Sequence, residues 1–191
     1  CQQTANVPTG VARSCDPGPM SYIRPAVEMP LFVDSDGRVI PYGDRWGCES
    51  PPSAGYSRIS HPERFAPVLT VARHLIDHLA REYAVDVTRE GSRTRLEPTG
   101  PSMTFELDDV HHLVRVTADP VAESTFPICG CDACDESLDF VCDELERLVF
   151  AVVQGRFSQR VQGRWLVTSS PGGHSRSRLD RRERKRVRGA L

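Results

Sequence analysis

Lysine is almost missing from this chain: Lys185 stands alone among 24 basic residues, and Asn6 is the single asparagine. That bias reads as high-GC coding and says nothing about chemistry. Long apolar runs are missing as well. The longest, "LVFAVV" at Leu148–Val153, falls far short of the roughly 20 residues a membrane-spanning helix needs, so no membrane role is expected. No basic segment, apolar run and small-residue cleavage site stand together near the start, and no secretory signal is read there. Cys1 occupies the first position, which is read as an over-extended frame ahead of Met20. No glycine-rich phosphate loop, Gly-x-Ser-x-Gly elbow, dinucleotide fingerprint or nucleophile–base set occurs. Catalysis is therefore not the expected role.

A disulfide framework is also excluded. Seven cysteines is an odd number, and three of them crowd into Cys129–Cys134 instead of spreading over a small secreted domain. The spacing suits a reducing compartment, and the cytoplasm is the expected location.

The net charge of −2 conceals a split. From Gly172 onward, eight basic residues face only Asp180 and Glu183, giving +6, while residues 1–171 carry 16 basic and 24 acidic residues, giving −8. An acidic body has no electrostatic reason to seek nucleic acid, and only the basic tail could do so.

Along the chain, residues 1–19 lack apolar periodicity and read as a disordered lead. "LFVDSDGRVI" places an Asp-Gly pair between two apolar runs, the pattern of a hairpin. "DSDG", Asp34–Gly37, also opens like a calcium loop, but the remaining ligands are missing. The next stretch, "PYGDRWGCESPPSAGYSRI", is a Pro-, Gly- and Ser-rich loop with Tyr42, Trp46 and Tyr56, aromatics that pin a loop to a core or line a binding surface. "SHPE" predicts a helix start with Ser60 as N-cap and Glu63 closing a capping box. Phe65, Val68, Leu69, Ala72, Leu75, Ile76 and Leu79 then repeat at helical spacing to about Ala80. "YAVDVTRE", "TRLEP", "MTFEL" and "HHLVRVTA" read as strands joined by short turns, and "STFPI" as a further extended piece. A second helix is expected from about Ala133 to Val153, with Leu138, Val141, Leu145, Leu148 and Val152 as its stripe. Beyond Ser169 periodicity is lost. The expectation is an α+β fold: about four antiparallel strands between two main helices, arranged as a two-layer sandwich. The single domain spans residues 20–168, and a disordered basic tail spans residues 169–191.

"DGRVIPYGDRW", "YSRISHPERFAPV" and "FPICGCDACDE" together resemble an actinobacterial family of uncharacterised proteins, a domain of unknown function. The similarity covers roughly Phe32 to Val153, and the lead and the basic tail fall outside it. The resemblance implies no activity and assigns no residue a role.

The chemistry concentrates in "PICGCDACDE". Cys129, Cys131 and Cys134 form a C-x-C-x-x-C triplet, and Asp132 is placed to cap the second helix. That would bring three thiols to a helix N-terminus, whose partial positive charge favours thiolates. Zinc takes four ligands, so the triplet leaves one place for Cys48, Cys142, His61, His111, His112 or Asp135. Cys142 lies two helical turns beyond Cys134, about 12 Å away, and His61 is the preferred fourth ligand. A redox dithiol of Cys131 and Cys134 in "CDAC" is the alternative, opposed by the nearby carboxylates Asp132, Asp135 and Glu136. A third reading is a metal-dependent enzyme with the aromatic loop as a substrate wall. His74 and His78 with Asp77 superficially match an inverted zincin, but flank an apolar stripe and lack a third ligand. The conclusion is a small binding or interaction module with a candidate structural zinc site, its partner unknown.

Overall fold

The apolar stripe that begins at Phe65 becomes α1, Ala66–Glu82, with Val68, Leu69, Val71, Ala72, Leu75, Ile76 and Leu79 buried. A computed structural model describes residues 22–83, 85–97, 102–118 and 122–190, and the lead at 1–19 lies outside them. Burying each Leu or Ile of this stripe contributes roughly 1.5–3 kcal/mol, which makes the stripe the main reason the helix forms. Its start departs from expectation. His61 takes a left-handed φ of 49°, and Pro62–Phe65 forms a 3-10 turn ahead of α1. Ser60 caps neither element, because its hydroxyl bonds Asp132 instead.

Five strands follow: β1 (Asp86–Glu90), β2 (Arg93–Glu97), β3 (Met103–Asp108), β4 (Leu113–Ala118) and β5 (Ala122–Phe126). They form one antiparallel meander in the order β1-β2-β3-β4-β5. This is one strand more than expected, because the "STFPI" piece pairs with β4. Met103, Phe105 and Leu107 alternate inward on β3. Opposite them, Val114, Val116 and Ala118 are buried on β4, in register Phe105↔Val116 and Met103↔Ala118. His111 and His112 do not lie in a strand as expected. They occupy the β3–β4 turn, where His112 has φ 54°.

The second helix, α2, runs Leu138–Val153, and Ser137 is its N-cap, with its hydroxyl accepting from the Phe140 N–H. Asp132 is therefore not the cap. Both helices contribute to one core with the inward face of the sheet: α1 packs on β3 and β4, and α2 packs on β5 and α1. Ahead of them, residues 22–29 lie across the core with Tyr22, Val27 and Met29 half-buried. Arg24 fastens this segment to Asp143 and Glu146 of α2.

Regular structure runs on past residue 168, where the tail expected to be disordered begins. The strands β6 (Ser158–Gln162), β7 (Trp165–Ser170) and β8 (Gly173–Arg178) form a second antiparallel sheet, and α3 (Arg181–Ala190) follows. The fold among the described residues is α+β, with two sheets and three α-helices. Among the described residues, no helix is long and apolar enough to cross a membrane.

Candidate metal centre

Residues 127–137 join β5 to α2 without regular structure, and a connection of this kind needs partners for its backbone. The aromatic loop supplies them. Asp132 N–H donates to the Arg58 carbonyl at 2.8 Å, and Ala133 N–H donates to the Gly55 carbonyl at 3.1 Å. The Trp46 indole donates to the Asp132 carbonyl at 2.9 Å. Gly43 and Arg45 backbone N–H groups both donate to one oxygen of Asp135, at 3.0 and 2.8 Å. Gly43 permits that approach: its φ is +95°, and a Cβ there would lie 2.6 Å from the Ser137 Cβ.

The centre of the clamp is the Asp132 carboxylate, whose side chain is fully buried. One oxygen accepts from Ser60 N–H at 2.7 Å. The other accepts from the Arg58 Nε at 2.6 Å and the Ser60 hydroxyl at 2.8 Å. Guanidinium nitrogens of Arg45 and Arg64 stand at 3.6 and 3.9 Å. Burial alone would raise the pKa of this carboxyl. The Ser60 N–H and hydroxyl, Arg58 and Arg45 more than offset that, holding it below its ordinary value. Arg64, also fully buried, donates to the Gly130 carbonyl at 3.0 Å and to the Ser60 carbonyl. Its guanidinium lies 4.2 Å from the Tyr42 ring centre and 4.5 Å from that of Phe65, the stacked geometry suited to a desolvated arginine.

This clamp presents three sulfurs. The Sγ atoms of Cys129, Cys131 and Cys134 all lie within 4.8 Å of one another. Cys131 is buried, while Cys129 and Cys134 are exposed. Gly130, at φ +70°, folds the chain back between the first two, whose sulfurs stand 3.2 Å apart. The Cys134 N–H donates to the Cys131 sulfur at 3.4 Å. The Glu136 carboxylate accepts from the Ile128 and Cys129 N–H groups at 2.9 and 3.2 Å. The Cys134 N–H, then the Cys129 thiol, favour the Cys131 thiolate and lower its pKa. Cys134 moves the other way: hydrogen bonds with Cys129 and Cys131 favour its protonated form. The helix-terminus account of the thiolates is corrected here, because α2 begins only at Leu138 and the polarising N–H belongs to the loop itself.

The other candidates are placed as follows. His61 does not join the sulfurs. Its Nδ1 is 2.8 Å from the Tyr42 hydroxyl, and its ring stacks on Phe32 with centroids 4.6 Å apart. Cys142 is buried in α2, and burial pushes its thiol up to about 12. Cys48 is exposed. His111 hydrogen-bonds Asp108 at 2.8 Å. His74 and His78 pack against the Tyr22 ring. No second group of three ligand-type residues assembles among the described residues. Asp34 and Gly37 form the expected turn, with a bridge between Val33 and Val39.

The three sequence stretches that carry the resemblance therefore meet at one place. The chain belongs to a family of unknown function (DUF6226). The family match covers residues 28–190, so β6–β8 and all of α3 belong to it, beyond the Val153 limit expected from the sequence. No curated protein and no solved structure matches the chain.

The sequence reading missed the clamp: Arg45, Arg58, Ser60 and Arg64 around Asp132. The available signal was the density of arginine and acid inside stretches otherwise framed by Pro, Gly and aromatics.

Proposed function

We propose that the protein is a cytoplasmic binding module built around a mononuclear thiolate metal centre at Cys129, Cys131 and Cys134, and that zinc is the ion it takes. The supporting observation is the convergence of three sulfurs within 4.8 Å on a loop whose Asp132 and Asp135 are bonded to residues of the aromatic loop and Ser60, and whose Glu136 ties its own backbone. A tetrahedral ion with zinc–sulfur bonds of about 2.3 Å places its sulfurs about 3.8 Å apart, so small movements of these side chains complete the site. Soft thiolates select zinc over hard cations, and all five cysteines among the described residues are free, as a reducing compartment requires. His61, the fourth ligand expected from sequence, is held by Tyr42 and Phe32 away from the three sulfurs. A solvent molecule on the exposed side of Cys129 and Cys134 is the other source of a fourth ligand.

Cys131→Ser tests the reading. It should lose zinc and lower the melting temperature together, because ligand binding is part of folding at such sites. Stoichiometric zinc retained in Cys131→Ser would overturn the centre at this triplet. A second reading is a redox dithiol, expected from sequence at Cys131 and Cys134; the 3.2 Å sulfur contact instead joins Cys131 to Cys129. The dithiol reading predicts that the same substitution abolishes a disulfide while leaving stability unchanged.

A further inference from the structure

The small sheet and α3 concentrate charge that the metal centre does not use. Between residues 158 and 190 stand ten basic residues and only two acidic ones, a net +8, while the remaining sequence is −10. The two acids are committed within α3. Asp180 accepts from the Arg182 and Glu183 N–H groups at 2.6 and 2.8 Å, and Glu183 accepts from the Asp180 N–H at 2.7 Å. This is a reciprocal capping box. Among the described residues, none of the ten cations makes an ion pair with a carboxylate.

Strand register sorts the faces of the sheet. Gln159, Leu166, Thr168, Ser175 and Ser177 share one face and line a cavity of about 540 Å³. Arg160, Val167 and Arg176 stand in line on the other face, and Trp165 pairs with Arg178 there. The Arg176 guanidinium lies 5.2 Å from the Trp165 ring centre. At one end of this face, Arg164, Arg178, Arg181 and Arg184 line an open cleft of about 530 Å³, which Asp180 and Glu183 also border.

From this we infer that the β6–β8 sheet and α3 form a nucleic-acid-binding surface, in which the four cleft arginines hold backbone phosphates and Trp165 offers a stacking face to an unpaired base. Arginine forks match phosphate geometry, and aromatic rings beside a basic groove bind single strands without sequence preference. A lipid surface fits less well. Val187 of α3 is buried, so the helix has no apolar face to insert, which membrane-surface helices require.

The test is fluorescence anisotropy of the full chain with labelled single-stranded RNA and DNA 20-mers of one sequence, with phosphatidylserine vesicles as a further arm. Four phosphate contacts give a log–log salt slope of about −2.8, so affinity should fall about 50-fold between 50 and 200 mM salt. Arg164→Gln combined with Arg181→Gln should halve the slope to about −1.4, a fall of about 7-fold over the same range. Both side chains are exposed, and an unchanged melting temperature would show the fold intact. The RNA and DNA arms separate the two sources of the phosphate backbone through the 2′-hydroxyl, and binding to either supports the inference. Absence of oligonucleotide binding at 50 mM salt, an unchanged slope in the double variant, or binding to vesicles alone would each overturn it.

Discussion

Replacing Asp132 by Asn removes a charge without changing shape, and the hydrogen-bond pattern determines what it costs. One carboxylate oxygen faces Ser60 N–H; the other faces the Arg58 Nε and the Ser60 hydroxyl. An amide has one accepting oxygen and one donating nitrogen. With the nitrogen toward Ser60 N–H, two donors oppose each other. With the side chain flipped, the nitrogen opposes Arg58 Nε. The fully buried Arg64 also loses its nearest countercharge. Breaking a buried charge pair by removing one partner costs about 3–5 kcal/mol. Arg58 is half exposed and can turn to water, so the lower end applies, about 3 kcal/mol. At about 2–4 °C per kcal/mol for a chain of this size, the melting temperature should fall by about 6–12 °C. Urea unfolding monitored through Trp46, whose indole bonds the Asp132 carbonyl, is a suitable assay. Metal affinity should fall with it, because the same loop carries the sulfurs. A variant that melts within 2 °C of the parent and keeps its metal would refute the view that Asp132 organises this loop.

Two further outcomes are expected. Burial lowers the pKa of His78, with Arg81 and His74 adding to it and Glu82 opposing; Tyr22 and Tyr83 pack on its ring. Because the unfolded chain takes up this proton first, the stability is present above about pH 6.5 and is lost as pH falls toward the folded value. Denaturation between pH 7 and 5 should show this slope, and His78→Phe should flatten it; an unchanged slope would count against the assignment. Gly43→Ala should destabilise by about 1–3 kcal/mol more than Gly47→Ala, since both have positive φ but only Gly43 meets a neighbour, Ser137. Equal melting temperatures for the two variants would contradict the close approach.

The elements readable from sequence are those whose cause is local. The stripe from Phe65 to Leu79 and the alternation Met103–Phe105–Leu107 survive intact, because burial on one face imposes a period wherever the element sits. Helix starts were not readable. Ser60 and Asp132 each satisfy the local rules for an N-cap, yet they bond each other across 72 positions, and a charge-assisted bond in a buried site outweighs a solvent-side cap. The C-terminal elements were hidden for a different reason. All residues of β8 are exposed, and among the described side chains α3 buries only Val187 deeply, so neither leaves an apolar pattern. The cysteine cluster was legible because three thiols fall within six positions. A fourth ligand was not, since the partners of His61, Tyr42 and Phe32, belong to a distant loop.

The most direct measurement is elemental analysis of the wild-type chain purified without chelator or affinity metal, paired with counting of reactive thiols. The account predicts about one zinc per chain, with Cys129, Cys131 and Cys134 protected from thiol reagents until a chelator is added. Metal-free protein whose exposed Cys129 and Cys134 react at once, with a melting temperature unmoved by added zinc, would contradict it.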